Sequence, residues 1–438
     1  MDRDMKNIVL LMYNFPPLGA GRGIAWTYFC EQLSKNYNVT VFTVEASEFD
    51  PFYNADKLNL ITENYQVNRS NPGVLYERNV NSWKNSAINP ATHKVNNNSA
   101  SSETFSKKLI NKTRKILLFP DSYVFWNKNL EEAVLDFSKD HQIDLIISVG
   151  FPFSTHLAAS KLQKKLNTKL ILDYGDPWSF NPSTTTIPRE RQWFDKIVEG
   201  RILRKADFIT VTTENTKEMF KKNFPFVQGK IDIITQGVFT KDFYDKDLIH
   251  ENESSVITMF YAGTFYKDIR NPSSFFEALL KINQIDLKGK KVKIIIAGNM
   301  EDYVLTQIDK FSDGGPIEIK ALGNLPFDLV ADYQKKADAL LFFGNYGGVQ
   351  VPGKIFEYLA TDRPIYGVIP KGDESERIIN RYDRGIISDY DEGNIKASFI
   401  NFIDEVANKK YNQLEPIKDY DWKNIAEKYE KIVGSVLG

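Results

Sequence analysis

What most limits the fold of this chain is a rhythm. Short apolar runs rich in β-branched residues recur, each followed by a loop bearing Gly, Pro or Asn and then by a helical pattern. The first half carries NIVLLMYNF (7–15), NVTVFTV (38–44), IDLIISVG (143–150), KLILDY (169–174) and FITVTT (208–213). The second half carries ITMFYAG (257–263), VKIIIAG (292–298), IEIKALG (317–323), ALLFFG (339–344) and PIYGVI (364–369). Runs that are apolar on both faces and alternate with helices predict parallel sheets covered on both sides. The series occurs twice, and 438 residues are too many for one ordinary core, so two αβα domains are expected. IDIITQGVF (231–239) and the charged DKDLIHENESS (245–255) read as their junction. The expected division is 1–240, 241–415 and a closing segment 416–438, in which DWKNIAEKYEKIVGSVL (421–437) forms a helix that crosses back onto the first domain. Sheets of this kind present ligand loops at the carboxyl ends of their strands, so function is expected in a cleft between the domains.

Bulk properties exclude several alternatives. Basic residues number 56 and acidic residues 57, a net charge of -1, so nothing draws the whole molecule to nucleic acid. The single cysteine, Cys30, rules out an intramolecular disulfide, fits a reducing compartment and reads as core filler. The opening MDRDMKNIVLLMYNFPP is too briefly apolar for a signal peptide, and no window of about twenty apolar residues occurs. The expectation is a soluble cytoplasmic protein that at most touches the inner face of the membrane. KKLINKTRKILLFPDSYVFW (107–126) places Lys107, Lys108, Lys112, Arg114 and Lys115 among apolar residues, which suits an anionic membrane surface as well as a helix packed on its own domain. The Asn- and Ser-rich stretch 81–106 reads as flexible.

Polar residues cluster where strands end. NFPPLGAGRGIAW (14–26) sets Gly19, Gly21 and Gly23 between a strand and a helix, with Arg22 beside them. The spacing misses both the dinucleotide fingerprint and the phosphate-binding loop, leaving a tight turn or a ligand-facing loop. SVGFPFSTHLAA (148–159) brings His156 into the first turn of a helix, where it can cap and pack or bond a sugar hydroxyl or phosphate. LILDYGDPWSFNP (170–182) delivers Asp173, Asp176 and Trp178 to another strand end. FYAGTFYKDIRNPSSFFEALL (260–280) repeats the arrangement with Gly263, Thr264, Lys267 and Arg270, the last close to a helix start. VPGKIFEYLATDRPIYGVIP (351–370) opens a helix with Pro352, Gly353 and Lys354. Its Glu357 interrupts an apolar face made by Ile355, Phe356, Tyr358 and Leu359. A carboxylate there needs hydrogen-bond donors, from sugar hydroxyls or from protein partners.

FPPLGAGRG, LDYGDPW, YAGTFYKDIRNP, ALGNLP and VPGKIFEYLATDRPIYGVIP follow one another in the order of the motifs of glycosyltransferase family 4. The chain resembles that family over essentially its full length, and the last motif is the most specific. The resemblance implies the GT-B fold, two Rossmann-like domains facing across a cleft. It also implies a hexosyltransferase-type enzyme that uses a UDP- or GDP-sugar with retention of configuration and without metal. By the same resemblance Arg270 and Lys354 hold the donor diphosphate, Glu357 accepts the ribose hydroxyls, and Gly21 lines the donor sugar and phosphate. Arg22, Gly263, Thr264, Gly298, Gly348, Val349, Pro352 and Gly353 complete the expected donor-binding set. His156 and Asp176 are expected to align substrate hydroxyls, and attack comes from the front face with the departing phosphate as base. The acceptor would be a glycan, a lipid-linked sugar or a protein, in bacterial surface glycan or glycoprotein assembly.

Two positions depart from the pattern. The family often has a glutamate eight positions before Glu357, where this chain has Val349, so backbone groups of Gly347, Gly348 or Val349 would have to replace it. It commonly has Arg where LDYGDPW has Gly175. A non-catalytic GT-B subunit that binds a nucleotide sugar, or that partners another transferase, therefore stands beside the enzyme. A dinucleotide oxidoreductase lacks its fingerprint. Asp389-Tyr390-Asp391 spells the D-x-D of metal-dependent transferases but lies in the turn-like SDYDEGN, and is read as a solvated loop.

Overall fold

The computed structural model describes residues 5–19, 22–88, 118–181, 187–246, 256–311, 314–346 and 351–438. Gly21, Gly347, Gly348, Val349, the five basic residues of 107–115 and most of the Asn- and Ser-rich stretch lie outside the described residues. Two compact units emerge: Met1–Thr235 with Ile425–Gly438, and Gln236–Asn424.

In the first unit β1 (Asn7–Leu11), β2 (Asn38–Val44), β3 (Gln66–Ser70), β4 (Leu145–Gly150), β5 (Lys169–Tyr174), β6 (Phe208–Val211) and β7 (Ile231–Ile233) form one parallel sheet in the order β3-β2-β1-β4-β5-β6-β7. In the second, β8 (Val256–Ala262), β9 (Lys291–Ala297), β10 (Ile317–Gly323), β11 (Ala339–Phe343), β12 (Ile365–Val368) and β13 (Gly385–Ser388) run in the order β10-β9-β8-β11-β12-β13, again all parallel. Central strands are the apolar runs: every residue of β4 and of β11 is buried. Helices on both faces account for that burial.

The differences from the sequence reading fall at sheet edges. QVNRS, the whole of β3, is polar and mostly exposed, so neither alternation nor an apolar run marks it. It pairs with β2 from Thr40↔Gln66 to Val44↔Ser70, an edge position where one side of the ladder faces water. β1 stops at Leu11 although the apolar run continues to Phe15. The chain turns there ahead of Pro16 and Pro17, which have no amide to give a ladder.

The C-terminal helix, Trp422–Leu437, lays Tyr429 flat on Phe29 (ring centroids 5.2 Å apart, planes 9° apart) and edge-on to Trp26. Gln32 donates to Glu430 Oε2 at 2.6 Å. This helix therefore completes the first unit's core.

Candidate functional site

Each sheet reverses its strand order once, between β1 and β4 in the first unit and between β8 and β11 in the second. Loops that leave neighbouring strands in opposite directions open a crevice at such a point, and open α/β sheets bind their ligands there. In the second unit the two loops are Gly263–Arg270, after β8, and the one from Gly344 that leads to Lys354, after β11.

A hydrogen bond spans that point. Arg270 donates from Nε (3.0 Å) and Nη2 (2.7 Å) to the Asn345 side-chain oxygen, and Nη1 lies 3.4 Å from the Thr264 carbonyl. Its backbone closes a tight loop with Tyr266, whose carbonyl accepts the Arg270 N–H at 2.8 Å. The guanidinium is thus held by two groups and its backbone by a third, while the residue stays partly exposed. Beneath it the Tyr261 hydroxyl is pushed up in pKa by burial, against the lowering pull of Arg270.

Gly263 and Gly298 make the crevice floor. Gly263 N–H donates to Ala297 O (2.9 Å) and Gly298 N–H to Gly323 O (2.8 Å). Gly298 has φ +130°, and a Cβ on it would stand 2.2 Å from the Gly263 carbonyl oxygen. Only glycine satisfies both the conformation and the approach.

The helix Lys354–Leu359 answers the question raised by its glutamate. Lys354 Nζ lies 2.9 Å from Glu357 Oε2 and 3.1 Å from Oε1, and Gln334 Nε2 donates to Oε2 at 3.0 Å. Glu357 is held by protein partners, as the plainer of the two sequence readings has it. A carboxylate offers about four acceptor positions, of which these contacts take three, so room remains for a ligand hydroxyl. The helix mouth offers less. Ile355 N–H already bonds Pro352 O and Phe356 N–H bonds Gly353 O, both at 3.1 Å. The neighbouring Tyr358 hydroxyl accepts the Ala262 N–H at 3.3 Å, which ties this helix to the end of β8 one residue before Gly263.

Two residues assigned by sequence to ligand contact are in the core of the first unit. Arg22, 7% exposed, places Nε 2.9 Å from Asp173 Oδ2 and donates from Nη1 to Ile234 O at 3.1 Å. Asp173 also accepts from Trp26 Nε1 (3.1 Å) and Thr210 Oγ1 (2.6 Å). Arg22 is spent on this buried pair, where expectation had it facing a donor. His156 is 0% exposed, with Nδ1 2.8 Å from Ser148 Oγ and Nε2 toward Gly150. Burial lowers its pKa to about 3, so the ring is neutral and enclosed. It has no exposed surface to offer a substrate hydroxyl, and its ring packs against Tyr174 and Phe153. Trp178 likewise stacks on Phe153 at 5.5 Å and is buried. Asp176 is partly exposed in the turn after β5.

Asp389 and Asp391 serve as caps. Asp391 accepts the Asn394 N–H at the start of the helix Glu392–Ala407, and Asp389 accepts the Asp391 N–H and the Asn394 side-chain amide.

Asn345 and Gln334 are the site residues that sequence reasoning missed. Asn345 had a signal, a polar residue two positions after the end of a fully buried strand. Gln334 had none, because its burial follows from how the helix Phe327–Lys336 docks.

The whole chain superposes on several solved structures. A glycosyltransferase of Rickettsia africae ESF-5 is 13% identical, with a TM-score of 0.59 over 99% of each chain. Sucrose-phosphate synthase of Thermosynechococcus elongatus is 13% identical, with a TM-score of 0.57 over 98% of each. Anabaena HepE in complex with UDP is 12% identical, with a TM-score of 0.57 over 98% of this chain and 100% of that one. The chain has the GT-B fold. No family model matches the sequence, and no curated protein matches it at a significant level. In GT-B terms the β8–β11 crevice belongs to the second Rossmann-like unit, and Arg22, Asp173 and His156 to the interior of the first. Among the described residues no helix is long and apolar enough to cross a membrane.

Proposed function

We propose that this chain is a glycosyltransferase that moves a hexosyl group from a UDP- or GDP-sugar to an acceptor hydroxyl, after the pattern of glycosyltransferase family 4. The observation that carries the reading is the Arg270 guanidinium, fixed by Asn345 across the strand-order reversal of the second sheet. A departing nucleoside diphosphate needs cations fixed where its charge develops. Arg270 and Lys354 supply them from the two loops of the crevice. The crowded backbone of Gly263, Thr264 and Gly298 gives a sugar-phosphate a close approach, and Pro352 and Gly353 lead Lys354 into its helix. Glu357, with one acceptor position to spare, takes a ribose hydroxyl. The UDP present in the HepE structure supports a uridine donor.

In this reading two protein cations neutralise the diphosphate and no metal is needed. Attack on the same face that the phosphate leaves, with that phosphate taking the acceptor proton, gives retention. Gly21, Gly348 and Val349 keep their assignment to the donor sugar, and Asp176 its assignment to the acceptor hydroxyl. The acceptor is a glycan, a lipid-linked sugar or a protein in bacterial surface glycan or glycoprotein assembly, met in the cytoplasm or at the inner membrane face. Val349, where the family often has glutamate, favours a second reading, a GT-B subunit that binds the nucleotide sugar without turnover.

Thermal unfolding with UDP, GDP and a panel of nucleotide sugars tests the proposal. A nucleotide at about a hundred times its Kd stabilises the native state by roughly 2.7 kcal/mol. The shift is expected for wild type and not for Lys354→Ala. Donor consumption that persists in EDTA separates the metal-free enzyme from the non-catalytic subunit. If no nucleotide shifts the transition, both readings fall.

A further inference from the structure

An unassigned feature of the first unit is a cavity of about 310 Å3. It opens beside the carboxyl end of β1, and its walls come from Tyr13 and Asn14, from the turn after β2, from the helix Val74–Ile88 and from Ser122 and Tyr123. That volume lies at the small end of the about 300–1,000 Å3 typical of small-molecule sites.

Its walls combine rings with a few polar groups. Tyr76 and Trp83 meet edge to face, with centroids 5.5 Å apart and planes 80° apart, and form an aromatic corner. Phe52, 60% exposed, and Tyr123 add two further rings. Among the described residues Asp50, only 8% exposed, is the one carboxylate in the lining, and Arg78, exposed, the one guanidinium. Asp50 Oδ1 accepts the Phe52 N–H at 2.9 Å, the Tyr76 hydroxyl accepts the Ser47 N–H at 2.9 Å, and the Asp50 and Tyr76 side chains interact. With about four acceptor positions on a carboxylate, Asp50 retains capacity for a ligand.

We propose that this cavity binds one uncharged sugar ring, a neutral hexose or N-acylated hexosamine at the acceptor's reactive end. A pyranose has a C–H face that suits the negative face of an aromatic ring, and a rim of hydroxyls that suits Asp50. An alkyl chain fills the same volume but leaves the remaining acceptor positions of a nearly buried carboxylate unused, whereas a hydroxyl rim fills them. A uronate or a phosphorylated sugar brings negative charge against Asp50. Arg78 offsets that only weakly, because an exposed charge acts through water. The word acceptor rests on the transferase reading; the sugar ring does not.

The test is an array of immobilised oligosaccharides ending in neutral, N-acetylated, uronate or phosphorylated sugars, probed with the full-length protein with and without UDP. Retention is expected on neutral or N-acetylated ends, and at least tenfold weaker for Trp83→Ala and for Asp50→Asn. Asp50→Asn keeps the side chain's shape, and unchanged thermal unfolding of both variants shows that they fold. Preference for acidic ends, retention unchanged in both variants, or no retention of any glycan overturns the proposal. UDP and GDP thermal shifts are read on the same proteins. If glycans bind as expected and no nucleotide shifts the transition, the transferase reading falls and the sugar site stands. If nucleotides bind and glycans do not, the reverse holds.

Discussion

Lys354 and Glu357, three residues apart on one short helix, hold each other at 2.9 Å, and Gln334 donates to the same carboxylate oxygen. Lys354 is 32% exposed and Glu357 15%. A partly solvated pair of this kind contributes about 1 kcal/mol or less. Lys354→Met is therefore expected to lower stability by no more than about that amount while abolishing stabilisation by UDP or GDP. Urea unfolding with and without nucleotide checks it. A variant that still gains stability from nucleotide removes Lys354 from the site.

Arg270 donates twice to one oxygen of Asn345. A lysine has neither the second nitrogen nor the planar fork. Hydrogen bonds to charged groups contribute about 1.5–3 kcal/mol, so Arg270→Lys is expected to weaken nucleotide binding by roughly tenfold to a hundredfold. Asn345→Ala, which leaves the cation in place but loose, is expected to show part of that loss. Calorimetric titration with UDP measures both, and an Arg270→Lys affinity equal to wild type would contradict the assignment.

Gly298 combines φ +130° with a carbonyl oxygen 2.2 Å from any Cβ. Gly298→Ala must shift β8 against β9 or adopt a strained backbone, at a cost of at least about 1–3 kcal/mol. The expected outcome is a lower unfolding midpoint together with weaker nucleotide binding, because the displaced backbone belongs to the crevice floor. Gly353→Ala has open space at its Cβ and serves as the control, with an expected unchanged midpoint.

The Arg22 and Asp173 pair is almost fully buried. Removing one partner from a buried pair costs about 3–5 kcal/mol, whereas replacing both with apolar residues of similar size is often neutral or stabilising. Asp173→Leu alone is thus expected to be strongly destabilising, and Arg22→Met with Asp173→Leu to recover most of the loss. Denaturant unfolding of the four proteins of the cycle decides it. A double-variant loss equal to the sum of the two single losses would mean that the pair is not coupled.

Two buried groups of the first unit give opposite pH dependences. Burial lowers the His156 pKa from 6.5 to about 3. Between those values the unfolded chain holds the extra proton, so this contribution is lost as pH falls below about 6.5. Burial raises the Glu199 carboxyl from 4.5 to about 7. There the folded chain holds the extra proton, so that contribution is present below about 4.5 and lost as pH rises toward 7. From about 4.5 to 6.5 the two slopes cancel. Glu199→Gln removes one of them, and its stability is expected to rise by about 1.4 kcal/mol per pH unit relative to wild type across that window. Urea unfolding at about pH 5 and about pH 6 checks this, and parallel curves would refute it.

The strand positions and the two αβα domains were legible because two-sided burial of a parallel strand leaves an unbroken apolar run in the chain, as in ALLFF of β11; the GT-B fold itself came from the resemblance in the motifs. β3 was not, because an edge strand of polar residues carries no such mark. Residues at strand ends could be picked out as candidates, since the sheet's topology makes those ends the ligand side. Their use could not be: Arg270 and Arg22 both follow a glycine-bearing strand end, yet one reaches Asn345 in a partly exposed crevice and the other a buried Asp173.

What the sequence by itself determined is thus the layered architecture and a short list of polar residues near the carboxyl ends of the strands, because hydrophobic periodicity and strand-end placement are local properties of the chain. Only the tertiary structure decided which of those residues face a crevice and which are consumed by the core. That outcome depends on partners far along the chain, 147 positions for Trp26 and Asp173 and 75 for Arg270 and Asn345, and no local pattern encodes such a meeting.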